Sequence, residues 1–206
     1  MANSDDRLVW VDCEMTGLEL DIDELVEVAV VVTDSELKPV HPGFTIVIKP
    51  SDAALANMGE FVTAMHTSSG LITELVGGYT LADAEDQVLA YINEHVPEGQ
   101  KPPMSGNSIG TDRAFVAKYM PTLNARLHYR NIDVSSMKEL ARRWFPRVYF
   151  NSPVKDGGHR ALADILESIR ELDYYRSALF VAEPGPTSVA AGKLSKAIVT
   201  KHSASV

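Results

Sequence analysis

Residues 8–14 read Leu-Val-Trp-Val-Asp-Cys-Glu, an apolar run that carries two carboxylates, Asp12 and Glu14, two positions apart. The run is short and rich in β-branched and aromatic residues, so it predicts a buried strand. The period-two geometry of a strand then puts both carboxylates on one face and Cys13 on the other. Two anions held that close among apolar neighbours repel and lose solvation, and they take up protons unless a positive charge sits between them. A divalent cation supplies such a charge, and oxygen-only ligands suit magnesium or manganese. The same spacing also fits a strand end whose acids point into solvent.

A metal site needs more ligands than two, and two further segments offer them. Asp112 follows Gly106-Asn-Ser-Ile-Gly110, a turn that places an acid in the first turn of a helix. The helix dipole alone favours an acid there, so a structural role is an alternative. His159 and Asp164 lie in Gly157-Gly-His-Arg-Ala-Leu-Ala-Asp164, where glycines precede a helix. Asp164 has Ala161, Leu162, Ile165 and Leu166 around it, either as a site residue or on the solvent face of an amphipathic helix. Taken jointly, four acids and one histidine in strand, helix-start and glycine-loop contexts point to one site.

These residues need elements to position them. Strands are predicted near 7–13, 25–34 and 43–49. A helix is predicted over 80–95, with Leu81, Ala84, Val88, Tyr91 and Ile92 as its apolar stripe, Thr80 as N-cap and Pro97 as its stop. Pro102 to Gly106 enters another short strand, Asn107 to Gly110 turns, and 111–119 is helical. Ile132 to Val134 is a short strand, Ser135 or Ser136 caps a helix through Trp144, and a long helix runs from 161 to 180. Strands first, then strands alternating with helices, predict an α/β fold with a mixed sheet flanked by helices. From Ala182 onward the composition turns to Ser, Ala, Thr, Lys and Val after a Pro-Gly-Pro break. The expected division is a domain over 1–181 and a flexible tail over 182–206.

The chain has 206 residues, 45% hydrophobic and 23% charged, with one cysteine, Cys13. That is enough for a substantial core and leaves no disulfide framework or thiolate metal site. No apolar stretch approaches a membrane span, and a cytoplasmic protein is the expectation. The net charge is −9; the tail holds three lysines and one glutamate, so 16 basic and 27 acidic residues remain in 1–181, a net −11. A protein that grips long nucleic acid by its backbone needs a basic surface, and this chain lacks the surplus.

The ordered set Asp12-x-Glu14, Asp112 after Asn-Ser-Ile-Gly, and His159-x4-Asp164 resembles the DEDDh exonucleases, named for four acids and a histidine. Five segments carry the likeness across residues 7–180: Trp10–Leu18, His66–Leu71, Gly106–Arg113, His128–Ser135 and Lys138–Trp144. They are most similar to the branch that degrades very short RNA. The resemblance implies a ribonuclease-H-like fold and removal of nucleotides from RNA 3′ ends, releasing nucleoside 5′-monophosphates. It implies two divalent ions, Mg2+ or Mn2+, held by Asp12, Glu14, Asp112 and Asp164, with His159 taking the proton of the attacking water.

The same likeness suggests how short substrates, dinucleotides above all, are selected. Leu18 matches a wedge between two bases, although a leucine in a tight turn is equally a core residue. Phe61 stands where the family often has tryptophan and offers a smaller stacking ring. Ser108, Ser135, His66 and Arg130 resemble a cap for the 5′ phosphate, with Tyr129 and Arg130 reaching in from a partner subunit, which implies a homodimer. Apart from the likeness, Arg130 is an ordinary surface arginine and His66 an ordinary helix residue. Two alternatives stand beside this reading: a proofreading exonuclease for longer DNA, and a nucleotide sensor without turnover.

Overall fold

The computed structural model describes residues 6–154 and 158–203. In chain order, β1 (Leu8–Met15), β2 (Leu25–Thr33) and β3 (Phe44–Val47) come first. Short helices α1 (Asp52–Asn57), α2 (Glu60–Ser68) and α3 (Leu71–Glu74) follow, then α4 (Leu81–His95) and β4 (Met104–Gly106). Next come α5 (Gly110–Tyr119), α6 (Pro121–Arg126), β5 (Asn131–Asp133), α7 (Val134–Trp144) and α8 (Pro146–Tyr149). The chain then runs through α9 (Ala161–Leu179) and α10 (Ser188–Ser203).

The strands form one mixed sheet in the order β3-β2-β1-β4-β5. β1 pairs antiparallel with β2 and parallel with β4; β2 pairs antiparallel with β3, and β4 parallel with β5. Every residue of β2 is buried, which explains why its sequence is valine-rich and nearly all apolar, with one acid, Glu27. Alternation sends the two faces of β1 into different cores. Val9, Val11, Cys13 and Met15 join α4 and α5 through Val88, Ile92, Phe115 and Val116. Trp10, on the other face, joins Ala29, Val31 and the α9 residues Ala161, Ile165 and Ile169.

The mixed sheet flanked by helices is the architecture expected, and the strands and the helices at 81–95, 110–119, 134–144 and 161–179 lie where the periodicity predicts. The cap of α7 differs: Asp133, not Ser135 or Ser136, is its N-cap, accepting the Ser135 N–H at 3.0 Å. A carboxylate is the stronger acceptor, and its negative charge suits the helix N-terminus. Residues 188–203, in the stretch predicted as a tail, are helical, and none of them is buried. Among the described residues no helix is long and apolar enough to cross a membrane.

Candidate active site

Strand β1 carries Asp12 and Glu14 on the Trp10 face, and α9 lies across that face with Asp164 in its first turn. One carboxylate oxygen from each of Asp12, Glu14 and Asp164 lies within 4.8 Å of the other two. Residues 152 positions apart in sequence thus converge because one strand's pleat and one helix's first turn meet on the same side of the sheet. The fourth acid, Asp112, comes from the first turn of α5 and stands outside that trio. Its Oδ1 accepts the backbone N–H of Cys13 at 3.0 Å, between the two β1 acids in sequence.

The electrostatics are those of crowded anions. Burial, then the charges of Asp164, Glu27 and Asp112, push Glu14 up to about 8, against the pull of Arg160. Burial likewise lifts Asp112 to about 6, while the hydrogen bond from Cys13 opposes the rise. Clustered oxygen-only donors, with Glu14 driven toward protonation by burial and by its acidic neighbours and Asp112 by burial, fit a divalent cation.

His66 sits behind these acids. It is fully buried, its Nε2 lies 2.9 Å from the Met15 carbonyl and its Nδ1 3.9 Å from Glu14 Oε2. Both contacts go to β1, so the structure groups His66 with the acids. His159 is exposed and its backbone adopts a φ of 47°, the left-handed region that non-glycine residues seldom occupy. Ser108 has a φ of 52°. Such conformations persist where the surroundings hold them, and they concentrate at functional sites.

Ser108 and Ser135 are brought together by a residue that the sequence reading left unassigned. Asp133 Oδ1 accepts the Ser108 N–H at 2.9 Å, the Ser135 N–H at 3.0 Å and the Ser135 hydroxyl at 2.6 Å. Asn107, beside Ser108, donates to Ser168 Oγ at 2.9 Å and Glu171 Oε2 at 3.1 Å, which ties this turn to α9.

Leu18 is 74% exposed and Phe61 80%, so Leu18 is not a core leucine. The turn that presents Leu18 is built on Asp23, whose carboxylate accepts the Thr16 hydroxyl at 2.9 Å and the Glu19 N–H at 2.8 Å. A Cβ at residue 17 would lie 2.4 Å from Asp23 Oδ2, which explains glycine there. Tyr129 is 76% exposed, with the Arg130 guanidinium 5.5 Å from its ring and the His128 ring packed on it. The backbone N–H of Arg130 donates to His128 Nδ1 at 3.1 Å, which orders this exposed segment.

Glu27, Arg160, Asp133 and Asp23 all shape the site, and sequence reasoning passed over them. Glu27 alone left a mark, as an acid inside an otherwise apolar strand.

A family profile described as Exonuclease (RNase_T) matches residues 9–172. An oligoribonuclease of Leifsonia xyli subsp. xyli is 64% identical over 204 residues, covering 99% of each chain. An oligoribonuclease of Streptomyces coelicolor is 62% identical, with 96% of each chain covered. Among solved structures, the zinc-bound complex of E. coli ExoI with single-stranded DNA superposes with a TM-score of 0.66 at 14% identity, over 84% of this chain and 41% of that one. Exonuclease I from Methylocaldum szegediense gives 0.62 at 20% identity, again over 84% of this chain and 41% of that one. The chain therefore spans about two fifths of those solved exonucleases, and their likeness is one of fold.

Proposed function

This chain belongs to the exonuclease family, among the oligoribonucleases, and from that premise we propose that it hydrolyses the shortest RNA fragments, dinucleotides above all, to nucleoside 5′-monophosphates. It is a 3′-to-5′ exoribonuclease. The observation that carries the reading is the convergence of Asp12, Glu14 and Asp164, each offering an oxygen within 4.8 Å of the others.

Asp12, Glu14, Asp112 and Asp164 would hold two divalent cations, Mg2+ or Mn2+. When bound, these supply charge stabilisation to the attacking and leaving oxygens of the phosphodiester. The chain's own groups do the rest. His159, exposed on a loop that begins with glycine, accepts the proton of the attacking water. Its exposure suits a base that engages only when substrate is present. Asp112 anchors α5 to β1 through Cys13, and His66 braces the Met15 carbonyl next to Glu14.

Leu18 wedges between the two bases and Phe61 stacks on one of them. Ser108, Ser135, His66 and Arg130 receive the 5′ phosphate, with Asp133 setting the two serines. Arg130 suits a phosphate because its planar fork donates two hydrogen bonds at once. Tyr129 and Arg130 act across a two-fold interface, so the working unit is a homodimer. Residues 1–181 form the exonuclease domain and 182–206 an appendage, and the enzyme works in the cytoplasm, where RNA turns over. The net charge of −11 in 1–181 fits a substrate with one or two phosphates.

The test is release of 5′-monophosphates from a labelled RNA dinucleotide with manganese, with and without chelator, beside a DNA oligomer. Chelator-sensitive cleavage of the dinucleotide supports the proposal. Cleavage of DNA alone, or binding without turnover, defeats it.

A further inference from the structure

One guanidinium joins three elements beside the proposed base. Arg160 Nε and Nη2 both donate to Glu27 Oε1, at 3.1 and 2.7 Å. Nη1 and Nη2 also reach the two oxygens of Glu74, at 2.9 and 3.2 Å. The other oxygen of Glu27 accepts the N–H of Ala161, the first residue of α9, at 3.0 Å. Glu27 is 0% exposed and pairs in register with Glu14 on β1. Arg160 therefore clamps β2, α3 and the start of α9 into one unit, and its planar fork of donors makes the clamp directional.

Residue 159 is bonded directly to that clamp. On its N-terminal side stands glycine, exposed and without a side chain to hold it. On its C-terminal side the peptide runs into Arg160, whose carbonyl also accepts the Asp164 N–H at 3.1 Å. The chain at His159 is thus fixed on its C-terminal side, where it enters the clamp, and His159 itself adopts a φ of 47°. A general base must return to one place within hydrogen-bond reach of the attacking water at each turnover. With both ends loose the imidazole would sample many positions; a fixed C-terminal end confines it to one arc.

We propose that Arg160, held by Glu27 and Glu74, is a positioning residue that acts through His159 as the fixed end of its loop. This rests on the assignment of His159 as base. Glu27 keeps its bond to Ala161 when the Arg160 side chain is removed, so α9 and Asp164 retain their own anchor and the effect falls on the loop.

A double-mutant cycle tests this. The variants are R160M, H159A and H159A/R160M, assayed on an RNA dinucleotide with saturating manganese, alongside manganese binding by calorimetry. At saturating manganese R160M lowers kcat about 10- to 100-fold with KM within about threefold, and the loss persists as manganese is raised further, which separates it from the pull of Arg160 on Glu14. In the H159A background the same change costs less than about twofold, because the group it positions is already gone. R160K recovers only part of kcat, since lysine restores the charge and not the fork. If R160M leaves a buried, unpaired Glu27 that prevents folding, R160M/E27Q takes its place in the cycle. A factor that is equal with and without His159, or a kcat that recovers as manganese is raised, overturns the anchor while leaving the base assignment standing. A wild-type rate for H159A alone removes the base, and the anchor with it.

Discussion

Asp112 is tied to Cys13: the Asp112 carboxylate accepts the Cys13 backbone N–H at 3.0 Å, across 99 positions of sequence. The bond seats the first turn of α5 against β1 where Asp12 and Glu14 flank Cys13. An amide oxygen accepts the same N–H, so the bond and the charge are separable. In Asp112→Asn the fold persists, and without metal its Tm equals or exceeds that of the wild type, because a buried anion is gone. Turnover falls by roughly two orders of magnitude or more, from loss of a charged ligand. Melting curves and kcat on one RNA dinucleotide check both halves; a variant with most of its turnover contradicts the ligand role.

Glu14 makes stability depend on pH. Its folded value of about 8 stands above the ordinary 4.5, so the folded protein binds the extra proton. The associated stability is present below about pH 4.5 and is lost as pH rises through 8. Asp112 adds the same sign between its ordinary 3.8 and about 6. In chelator, Tm therefore declines between pH 5 and 8, and Glu14→Gln flattens the decline. Manganese raises Tm of the wild type more at pH 8 than at pH 5, since protons compete with it at the lower pH. Scanning calorimetry across that range is the check, and an equal slope in Glu14→Gln counts against Glu14 as the source.

Leu18 and Gly17 separate contact from scaffold. Leu18 is 74% exposed, so Leu18→Ala leaves Tm nearly unchanged while kcat/KM for the dinucleotide falls. Gly17→Ala drives a methyl into the Asp23 carboxylate. It costs about 1–3 kcal/mol, or roughly 3–9 °C in Tm, and disturbs Leu18 as well. A Leu18→Ala enzyme with wild-type kcat/KM removes the wedge.

The β1 acids, the strand faces, the stripe of α4 and the helix start at Asp112 were legible in the sequence because each is a local periodicity. The pairing of Asp164 with Asp12 and Glu14 was legible only as an ordered set of residue types. What escaped is contact at long range. Glu27 meets Arg160 across 133 positions, and no local pattern announces that. Asp133 was overlooked because two serines follow it, and either looks like a cap until the carboxylate is seen to hold Ser135. The burial of His66 against Met15 likewise depends on how α2 packs on β1.

The proposed donation of Tyr129 and Arg130 across a two-fold interface is tested by mixing. A Tyr129→Ala/Arg130→Ala chain and an Asp12→Asn chain are each nearly inactive. In a mixed dimer one site pairs intact acids with an intact donated segment, so activity returns on mixing. No recovery despite subunit exchange, shown by mass-tagged chains, refutes donation across the interface.

We propose that this exonuclease works at the end of RNA decay. In that proposal a capped 5′ phosphate and a base wedge fix both ends of a dinucleotide, and the net charge of −11 over 1–181 offers a longer strand little compensating contact. The direct measurement is kcat/KM for 5′-phosphorylated RNAs of two, three, five and seven nucleotides at one salt concentration. The expected result is a maximum at two and a steep fall with each added nucleotide. Removing the 5′ phosphate should lower the dinucleotide value by about ten- to a hundredfold, the loss of one charge-assisted contact of about 1.5–3 kcal/mol. A profile that is flat, or that rises with length, contradicts it.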